Sequence, residues 1–338
     1  MMTKAGSELA DFLPLRRVLA VCQGKDQDVE LLKSAADLAG RNGASLSVLS
    51  VLEPPSDAHE LARGVGLDME AILARSAKQR HEAVRALVGS TLENTEPKID
   101  VAVGKAFIEI VRHVMAERID MVVKVAEPLH GSQWFLFAST DQHLLRKCPC
   151  AVWLRRPDTP VKLGRVIVAV DVDLEDATEP QTLAALNRSV MDVASQITAA
   201  EDASVDVLHA WDAPGEGLVR TWSGDSNPNT AAEAYVSAVH NERATALKSL
   251  TAEAAQRTKA AGFVGPEPLP VLARGPARIV IPDQCEALEP DVLVIGTVAR
   301  TGLRGVIIGN TAEDVLNSTE CSVVAVKPPG FITPLEID

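Results

Sequence analysis

The chain of 338 residues has few aromatic residues and no long apolar run. Aromatic residues form 3% of the sequence, with one tyrosine among them, so we expect no platform of rings on which nucleic-acid bases would stack. The longest apolar runs, such as Val166–Val170 and Val323–Val326, are far shorter than the roughly 20 residues that a membrane-spanning helix needs. These runs exclude a membrane-spanning helix, and we expect no membrane among the partners.

Positive charge is also scarce. Lys and Arg total 33 residues against 46 Asp and Glu, which gives a formal net charge of −13 at pH 7. Because nucleic-acid binding needs a cationic face, we expect no direct nucleic-acid partner. The five cysteines form no disulfide pattern, and no basic segment followed by an apolar one opens the sequence. Both observations predict a cytoplasmic protein.

Several enzyme motifs are missing. The sequence has no G-x-x-x-x-G-K-[ST] loop, no G-x-G-x-x-G fingerprint and no G-x-S-x-G elbow, so the enzyme classes built on these motifs are excluded. No nucleophile stands beside an evident base. We therefore predict a binding protein without catalytic residues or a resident metal.

The sequence repeats itself across two halves. An aspartate that opens an apolar run stands at Asp120 and again at Asp291. A cysteine that opens another apolar run follows thirty residues later in both halves, at Cys150 and Cys321. Correspondence over this distance indicates a duplicated module.

Each half predicts an α/β module. Strands rich in Val, Ile and Leu alternate with amphipathic helices, which is typical of parallel strands buried on both faces of a doubly wound sheet. The predicted strands of the second half are Arg165–Asp171, Ser204–Trp211, Leu269–Ala273, Val292–Gly296 and Ser322–Lys327. A proline-bearing stretch at residues 156–160 breaks regular structure, so the predicted modules are residues 1–158 and 159–338.

A glycine-rich loop follows one strand of the second half. Residues Gly296–Thr311 contain four glycines and lead into a helix that we expect to begin near Asn310 or Thr311. Glycines let the backbone approach a ligand closely, and a helix amino terminus presents N–H groups that bind anions. This arrangement predicts a phosphate site.

These motifs resemble the universal stress protein family. Its nucleotide signature is a glycine, two residues, a second glycine, nine residues, and a glycine followed by serine or threonine. In this chain those four positions hold Gly296, Ala299, Gly309 and Asn310, followed by Thr311. Segments 143–149, 296–302 and 309–313 are similar to those of the bacterial E-type members, which carry two modules in one chain. The resemblance covers nearly the whole sequence.

The resemblance implies that the second module binds ATP or another phosphorylated small molecule, with Mg²⁺ accompanying it. The family aspartate that contacts adenosine corresponds to Asp171. Arg300 supplies charge for phosphate oxygens, Asn310 can cap the helix in place of serine or threonine, and the methyl group of Ala299 departs from the pattern. The candidate ligand-binding residues are Val170, Asp171, Gly296, Ala299, Arg300, Gly309, Asn310 and Thr311.

The first module has lost the signature. The residues equivalent to the four signature positions and the aspartate are Val125, Pro128, Ala138, Ser139 and Gln23. Bulky side chains fill the equivalent loop, namely Trp134, Phe135 and Phe137. We expect no nucleotide in this module, which favours a scaffold or pseudo-dimer role.

The family also implies an arrangement for the two modules. Each is expected to be a five-stranded, mostly parallel sheet in the order 3-2-1-4-5, flanked by helices. The fifth strands, Cys150–Leu154 and Ser322–Val326, would pair antiparallel, so that one chain forms a pseudo-dimer and hides an exposed strand edge. A further homodimer is left open.

The function implied by the resemblance is that of a stress-response protein which aids survival under starvation, oxidative stress or DNA damage. We expect it to act by binding its ligand. A scaffold that binds no nucleotide is the alternative, and a slow ATP hydrolase that uses Asp171 or Asp173 with a metal ion is the second alternative. Cys148-Pro-Cys150, with His143 nearby, suggests either a soft-metal site or, as the better interpretation, buried and inert thiols.

Overall fold

The computed structural model describes residues 12, 14–55, 64, 66, 68–93, 95–127, 139–175, 177–222, 227–297 and 309–336. The strands in these residues are β1 (Arg17–Val21), β2 (Ser45–Leu52), β3 (Lys98–Val103), β4 (Met121–Val125), β5 (Ala151–Arg155), β6 (Arg165–Ala169), β7 (Ser204–Trp211), β8 (Pro268–Arg274), β9 (Val292–Gly296) and β10 (Ser322–Val326). The helices are α1 (Asp28–Asn42), α2 (Met69–Thr91), α3 (Ala106–Glu117), α4 (Ser139–Lys147), α5 (Pro180–Ile197), α6 (Glu216–Trp222), α7 (Pro228–Ala260), α8 (Ala277–Leu288) and α9 (Asn310–Ser318).

All of these strands join one sheet, in the order β3-β2-β1-β4-β5-β10-β9-β6-β7-β8. Neighbouring strands are parallel except β5 and β10, which pair antiparallel with Val323 opposite Leu154 and Ala325 opposite Val152. The order 3-2-1-4-5 in each half and the pairing of the two fifth strands are therefore confirmed. This pairing covers the edge that each fifth strand would otherwise expose.

The core lies on both faces of the sheet. Every residue of β4, β5 and β10 is buried, which explains why these strands are nearly continuous apolar runs. One face is covered by apolar side chains of α1, α2, α5 and α7, and the other by those of α3, α4, α8 and α9. The molecule is thus a three-layer α/β/α structure, as the alternation of strands and helices predicts.

Cross-module contacts form on both faces. On one face, the Arg41 guanidinium at the end of α1 donates to the carbonyl oxygens of Ile197 at 3.0 Å and Ala199 at 2.7 Å. On the other face, Arg146 of α4 pairs with Glu313 of α9. No helix in the described ranges is long and apolar enough to span a bilayer.

One strand ends earlier than predicted, and one helix was not predicted. Strand β6 ends at Ala169 and not at Asp171, because the Asp171 N–H is bound by the side chain of Asn187 and does not continue the strand ladder. Between β7 and α7, the short helix α6 was not predicted, since residues 216–222 carry little apolar periodicity and none of them is buried.

Candidate functional site

The candidate site lies where the strand order of the second module reverses. Strands β6 and β9 are neighbours, with Ala169 opposite Ile295, while the chain leaves β6 through α5 toward β7 on the other side. In open α/β sheets, ligands bind in the crevice outside the carboxyl ends of strands at such a switch point. Val170 and Asp171 follow β6, and Gly296 ends β9, so the fold brings these three predicted residues to one edge.

Asp171 is fixed through its main chain. The Asn187 side chain of α5 accepts the Asp171 N–H at 3.2 Å and donates to the Asp171 carbonyl oxygen at 2.7 Å. The Asp171 carboxylate accepts the Asp173 N–H at 3.1 Å and keeps 28% of its side chain exposed. Both backbone groups are therefore satisfied within the protein, and the carboxylate is held at the crevice without being buried.

His209 also belongs to this site, although it is not among the residues predicted to bind the ligand. Its ring is buried on β7, with Nδ1 3.2 Å from the Val170 carbonyl oxygen and 4.0 Å from Asp171 Oδ1. Burial lowers the pKa of His209, against the opposing effect of Asp171. Its Nε2 has no hydrogen-bond partner among the described residues. The position of a histidine at the carboxyl end of a strand was the signal available in the sequence.

Asp173 is engaged elsewhere. Its carboxylate pairs with the Arg243 guanidinium of α7 at 2.7 Å. Within the described ranges, no group of three or more His, Cys, Asp or Glu side chains is arranged to hold a metal ion. Among its described residues, the acidic loop after β6 therefore offers no metal cage built from protein ligands alone.

Gly296 has a packing role. A Cβ atom at this position would lie 2.7 Å from Leu186 Cδ2 and 2.9 Å from Leu186 Cγ, closer than side-chain atoms approach. Leu186 of α5 thus occupies the space in front of the glycine. The sequence predicts that this glycine lets a ligand approach the backbone. In the structure, the glycine is needed because α5 packs on the end of β9.

The end of the glycine-rich loop is tied back to β9. The Gly309 N–H donates to the Thr297 carbonyl oxygen at 3.3 Å, and Thr297 itself is buried, with its N–H 3.0 Å from the Val326 carbonyl oxygen. Gly309 therefore lies beside the end of β9, next to the crevice. Ala299 and Arg300 lie outside the described residues, so their predicted contacts stay predictions.

Helix α9 begins at Asn310, as predicted, but Asn310 does not cap it. Gly309 is the cap residue, with φ −58°, and its carbonyl oxygen accepts the Glu313 N–H at 2.9 Å. No side-chain cap bond forms within the described part of the chain, and the expected cap at Asn310 is wrong because that residue is already helical. Asn310 and Thr311 are exposed at the helix start.

Two charged groups lie behind the helix start. Glu313, which would repel an anion, pairs with Arg146 of the first module. Lys327 is buried, and its ammonium donates to the Thr297 hydroxyl at 2.7 Å and to the Leu145 carbonyl oxygen. Burial lowers the pKa of Lys327 to about 8. The glutamate is thus neutralised from outside the module, while a positive charge is placed beneath Thr297.

At the equivalent edge of the first module, charged side chains pair with one another. The Lys124 ammonium lies 3.0 Å from Asp141 and 2.6 Å from Glu127, and the Asp141 carboxylate accepts the Glu127 N–H at 2.8 Å. Burial raises the pKa of Asp141 while Lys124 opposes that shift. In the repeat that relates Asp120 to Asp291, the residues at the positions of Lys124 and Asp141 in the second module are Ile295 and Ala312. A carboxylate therefore stands at the amino end of α4 where α9 has a methyl group.

Gln23 takes the place of Asp171 in the first module. Its N–H donates to the Asp28 carboxylate at 2.8 Å, so a buried side chain of α1 holds this turn, much as Asn187 holds the turn after β6. Of the other signature equivalents, Val125 ends β4 and Ser139 begins α4, whereas Pro128, Ala138 and the bulky loop residues lie outside the described residues.

A tandem, doubly wound α/β protein whose two halves share one sheet is the class that this architecture defines. Residues 14–156 and 162–327 each match the model of the Universal stress protein family. The chain therefore belongs to the universal stress protein family, which supports a role in the stress response.

Two relatives match most of this chain. Universal stress protein E of Salmonella typhi is 26% identical over 333 residues, which cover 96% of this chain and 98% of the relative. Universal stress protein E of Escherichia coli K12 is 29% identical over 234 residues, 69% of each chain.

Solved structures agree in fold. A functionally unknown protein from Pseudomonas aeruginosa PAO1 has a TM-score of 0.61 at 23% identity and covers 93% of each chain. A universal stress protein from Archaeoglobus fulgidus has a TM-score of 0.57 at 14% identity, covering 92% of this chain and 98% of its own.

Proposed function

We propose that this protein is a stress-response protein of the cytoplasm whose second module binds a phosphorylated adenosine ligand, ATP being the first candidate, and whose first module binds none. It acts by occupancy of this site and not by catalysis. The observation that carries the proposal is the difference between the two modules: a carboxylate closes the helix start in the first, and none stands at the same position in the second.

Asp171 is the residue that would hydrogen-bond to the ribose hydroxyls. A carboxylate accepts two hydrogen bonds from neighbouring hydroxyls, and nucleotide folds place an acidic residue at the ribose for this reason. Asp171 is held by Asn187 and is partly exposed, so its carboxylate borders the crevice. Val170, whose carbonyl oxygen faces His209, borders the same crevice.

The start of α9 would take the phosphates. A helix amino terminus carries unpaired N–H groups and the positive end of the helix dipole. Gly309, Asn310 and Thr311 form this terminus, and the pairing of Glu313 with Arg146 removes the negative charge nearest to it. Ala299 and Arg300 of the preceding loop complete the proposed phosphate contacts.

Mg²⁺ would arrive with the ligand. It is commonly held by one or two carboxylates together with phosphate oxygens. Asp171 supplies such a carboxylate, and the described residues offer no separate metal cluster. The ion would neutralise phosphate charge in the crevice of a chain that is strongly acidic overall.

Thermal stabilisation by ATP tests the proposal. At a ligand concentration 100 times Kd, binding stabilises a folded protein by about 2.7 kcal/mol. The variant Asp171→Asn keeps the acceptor oxygen that binds the Asp173 N–H but loses the charge, so we expect ATP to bind about 10-fold to 100-fold more weakly, the effect of one lost charged hydrogen bond. Asp202→Asn, which neutralises an exposed carboxylate before β7, at the opposite end of the sheet, should leave binding unchanged.

The alternatives make different predictions in the same assay. No shift at millimolar ATP in the wild-type protein would contradict ligand binding and favour an interaction scaffold. Hydrolysis of ATP that is faster in the wild-type protein than in Asp171→Ala would instead support a slow hydrolase.

A further inference from the structure

A second cavity lies at the opposite end of the sheet. It has a volume of about 540 Å³ and is formed at the amino ends of β9 and β10, beside the segment that links the modules. Cys285 of α8, Cys321 immediately before β10, and Arg156 immediately after β5 all line it. The proposed ligand crevice is at the carboxyl ends of β6 and β9, so this cavity is a separate site.

The two thiols in the cavity have unequal chemistry. Both side chains line one cavity, and the interaction of Cys285 with Cys321, together with burial, raises the pKa of Cys285. The same interaction lowers the pKa of Cys321 despite burial, and the charge of Arg156 adds to that effect. Cys321 is also the more exposed of the two. Because the thiolate is the reactive form, Cys321 is the nucleophile of the pair and Cys285 is its protonated neighbour.

Thr319 adds a polar group to the same cavity. Its side chain is 1% exposed, and its hydroxyl oxygen has no hydrogen-bond partner among the described residues. A buried hydroxyl without a partner is uncommon and disfavoured.

We propose that Cys285 and Cys321 form a dithiol site that hydrogen peroxide entering this cavity oxidises to a disulfide. The Cys321 thiolate attacks one peroxide oxygen, the O–O bond breaks, and water leaves after protonation, which gives a sulfenic acid on Cys321. The Cys285 sulfur then attacks the Cys321 sulfur. The S–OH bond breaks as the disulfide forms, and the Cys285 proton leaves with the hydroxide as a second water. Two electrons pass from the sulfurs to the peroxide.

The repeat supplies a comparison pair in the same chain. Cys150 occupies the position of Cys321 in the first module, and its sulfur lies 3.5 Å from that of Cys148. The hydrogen bond from Cys150 lowers the pKa of Cys148, but Cys148 is completely buried. His143 stacks on Phe107 and, in the described structure, completes no metal cluster with these thiols. A peroxide therefore reaches the Cys148 thiolate poorly, which agrees with the interpretation of this pair as inert.

Peptide mass spectrometry of the full chain separates the two pairs. Reduced protein is exposed to hydrogen peroxide, free thiols are blocked, and the chain is cut with trypsin without reduction. Cys285 and Cys321 fall in the tryptic peptides 279–300 and 305–338, since trypsin does not cut the bond between Lys327 and Pro328, whereas Cys148 and Cys150 share the peptide 148–155. We expect the cross-linked pair of peptides to form about tenfold faster than the internal disulfide of 148–155, following thiolate exposure, and to vanish after reduction.

Variants make the mechanism falsifiable. Cys285→Ser should leave a sulfenic acid on Cys321 that dimedone traps, Cys321→Ser should abolish oxidation at both positions, and Cys150→Ser, the repeat counterpart, should leave the cross-link unchanged. Circular dichroism confirms that each variant is folded. The proposal is overturned if the Cys148–Cys150 disulfide forms first, if no cross-linked peptide appears, or if folded Cys285→Ser gives no dimedone adduct.

Discussion

The buried ion cluster of the first module gives the sharpest stability prediction, because the second module shows what can replace it. Lys124 is 5% exposed and Asp141 is fully buried, with 3.0 Å between the ammonium and the carboxylate. Removing one partner of a buried pair leaves an uncompensated charge and costs about 3–5 kcal/mol. Lys124→Ile should therefore destabilise the protein by that amount at pH 7.

The double variant Lys124→Ile with Asp141→Ala copies Ile295 and Ala312 of the second module. Apolar replacement of both partners of a buried pair is often neutral or stabilising. The Glu127 N–H loses its acceptor, which costs about 1 kcal/mol. We therefore expect the double variant to be less destabilised than Lys124→Ile alone, within about 1 kcal/mol of the wild-type protein.

Urea denaturation of the four proteins, wild type, both single variants and the double variant, measures this coupling. The cost of Lys124→Ile should shrink at pH 5, because the unpaired Asp141 then carries a proton more readily; its pKa is already raised by burial. If Lys124→Ile alone is no less stable than the double variant, the cluster is not coupled and the account of the first module is refuted.

Other predictions concern Lys327 and Gly296. The pKa of Lys327 is lowered to about 8 from about 10.4 in an unfolded chain. Because the unfolded state binds more protons between these two pH values, the free energy of unfolding should rise from about pH 8 to pH 10, by at most about 3 kcal/mol. Urea titrations of Lys327→Met should lack this rise, and a rise that persists in the variant would contradict the assignment. Gly296→Ala places a methyl group against Leu186 and should cost about 1–3 kcal/mol in thermal denaturation. Gly40→Ala, in open space on α1, should instead be neutral or stabilising by up to about 1 kcal/mol, and equal effects of the two variants would remove the packing argument.

The sheet could be predicted because its determinants are local and repeated. Apolar runs such as Val292–Gly296 specify buried strands, and the correspondence between Asp120 and Asp291 specifies two copies. The two aspartates have the same structural role. The Asp120 carboxylate accepts the N–H of Arg17, and the Asp291 carboxylate accepts the N–H of Arg165, each at the start of the first strand of its module. The pairing of β5 with β10 came from the family resemblance alone, since nothing in a single strand identifies its partner.

The site was predicted less completely, because its contacts join distant parts of the chain. Asn187 holds Asp171 from sixteen residues away through the packing of α5. Glu313 is neutralised by Arg146, which belongs to the other module. Neither relation has a spacing signature in the sequence. The division at residues 158 and 159 and the ligand contacts of the glycine-rich loop stay predictions.

The central claim is that one chain binds one nucleotide, in its second module. Native mass spectrometry of the freshly purified protein with excess ATP and Mg²⁺ measures this directly and also reports whether the chain forms a homodimer. We predict one ATP per chain in the wild-type protein and none in Gly309→Trp, which fills the space beside the end of β9. Two ATP molecules per chain, or none, or one that survives in Gly309→Trp, would contradict the account.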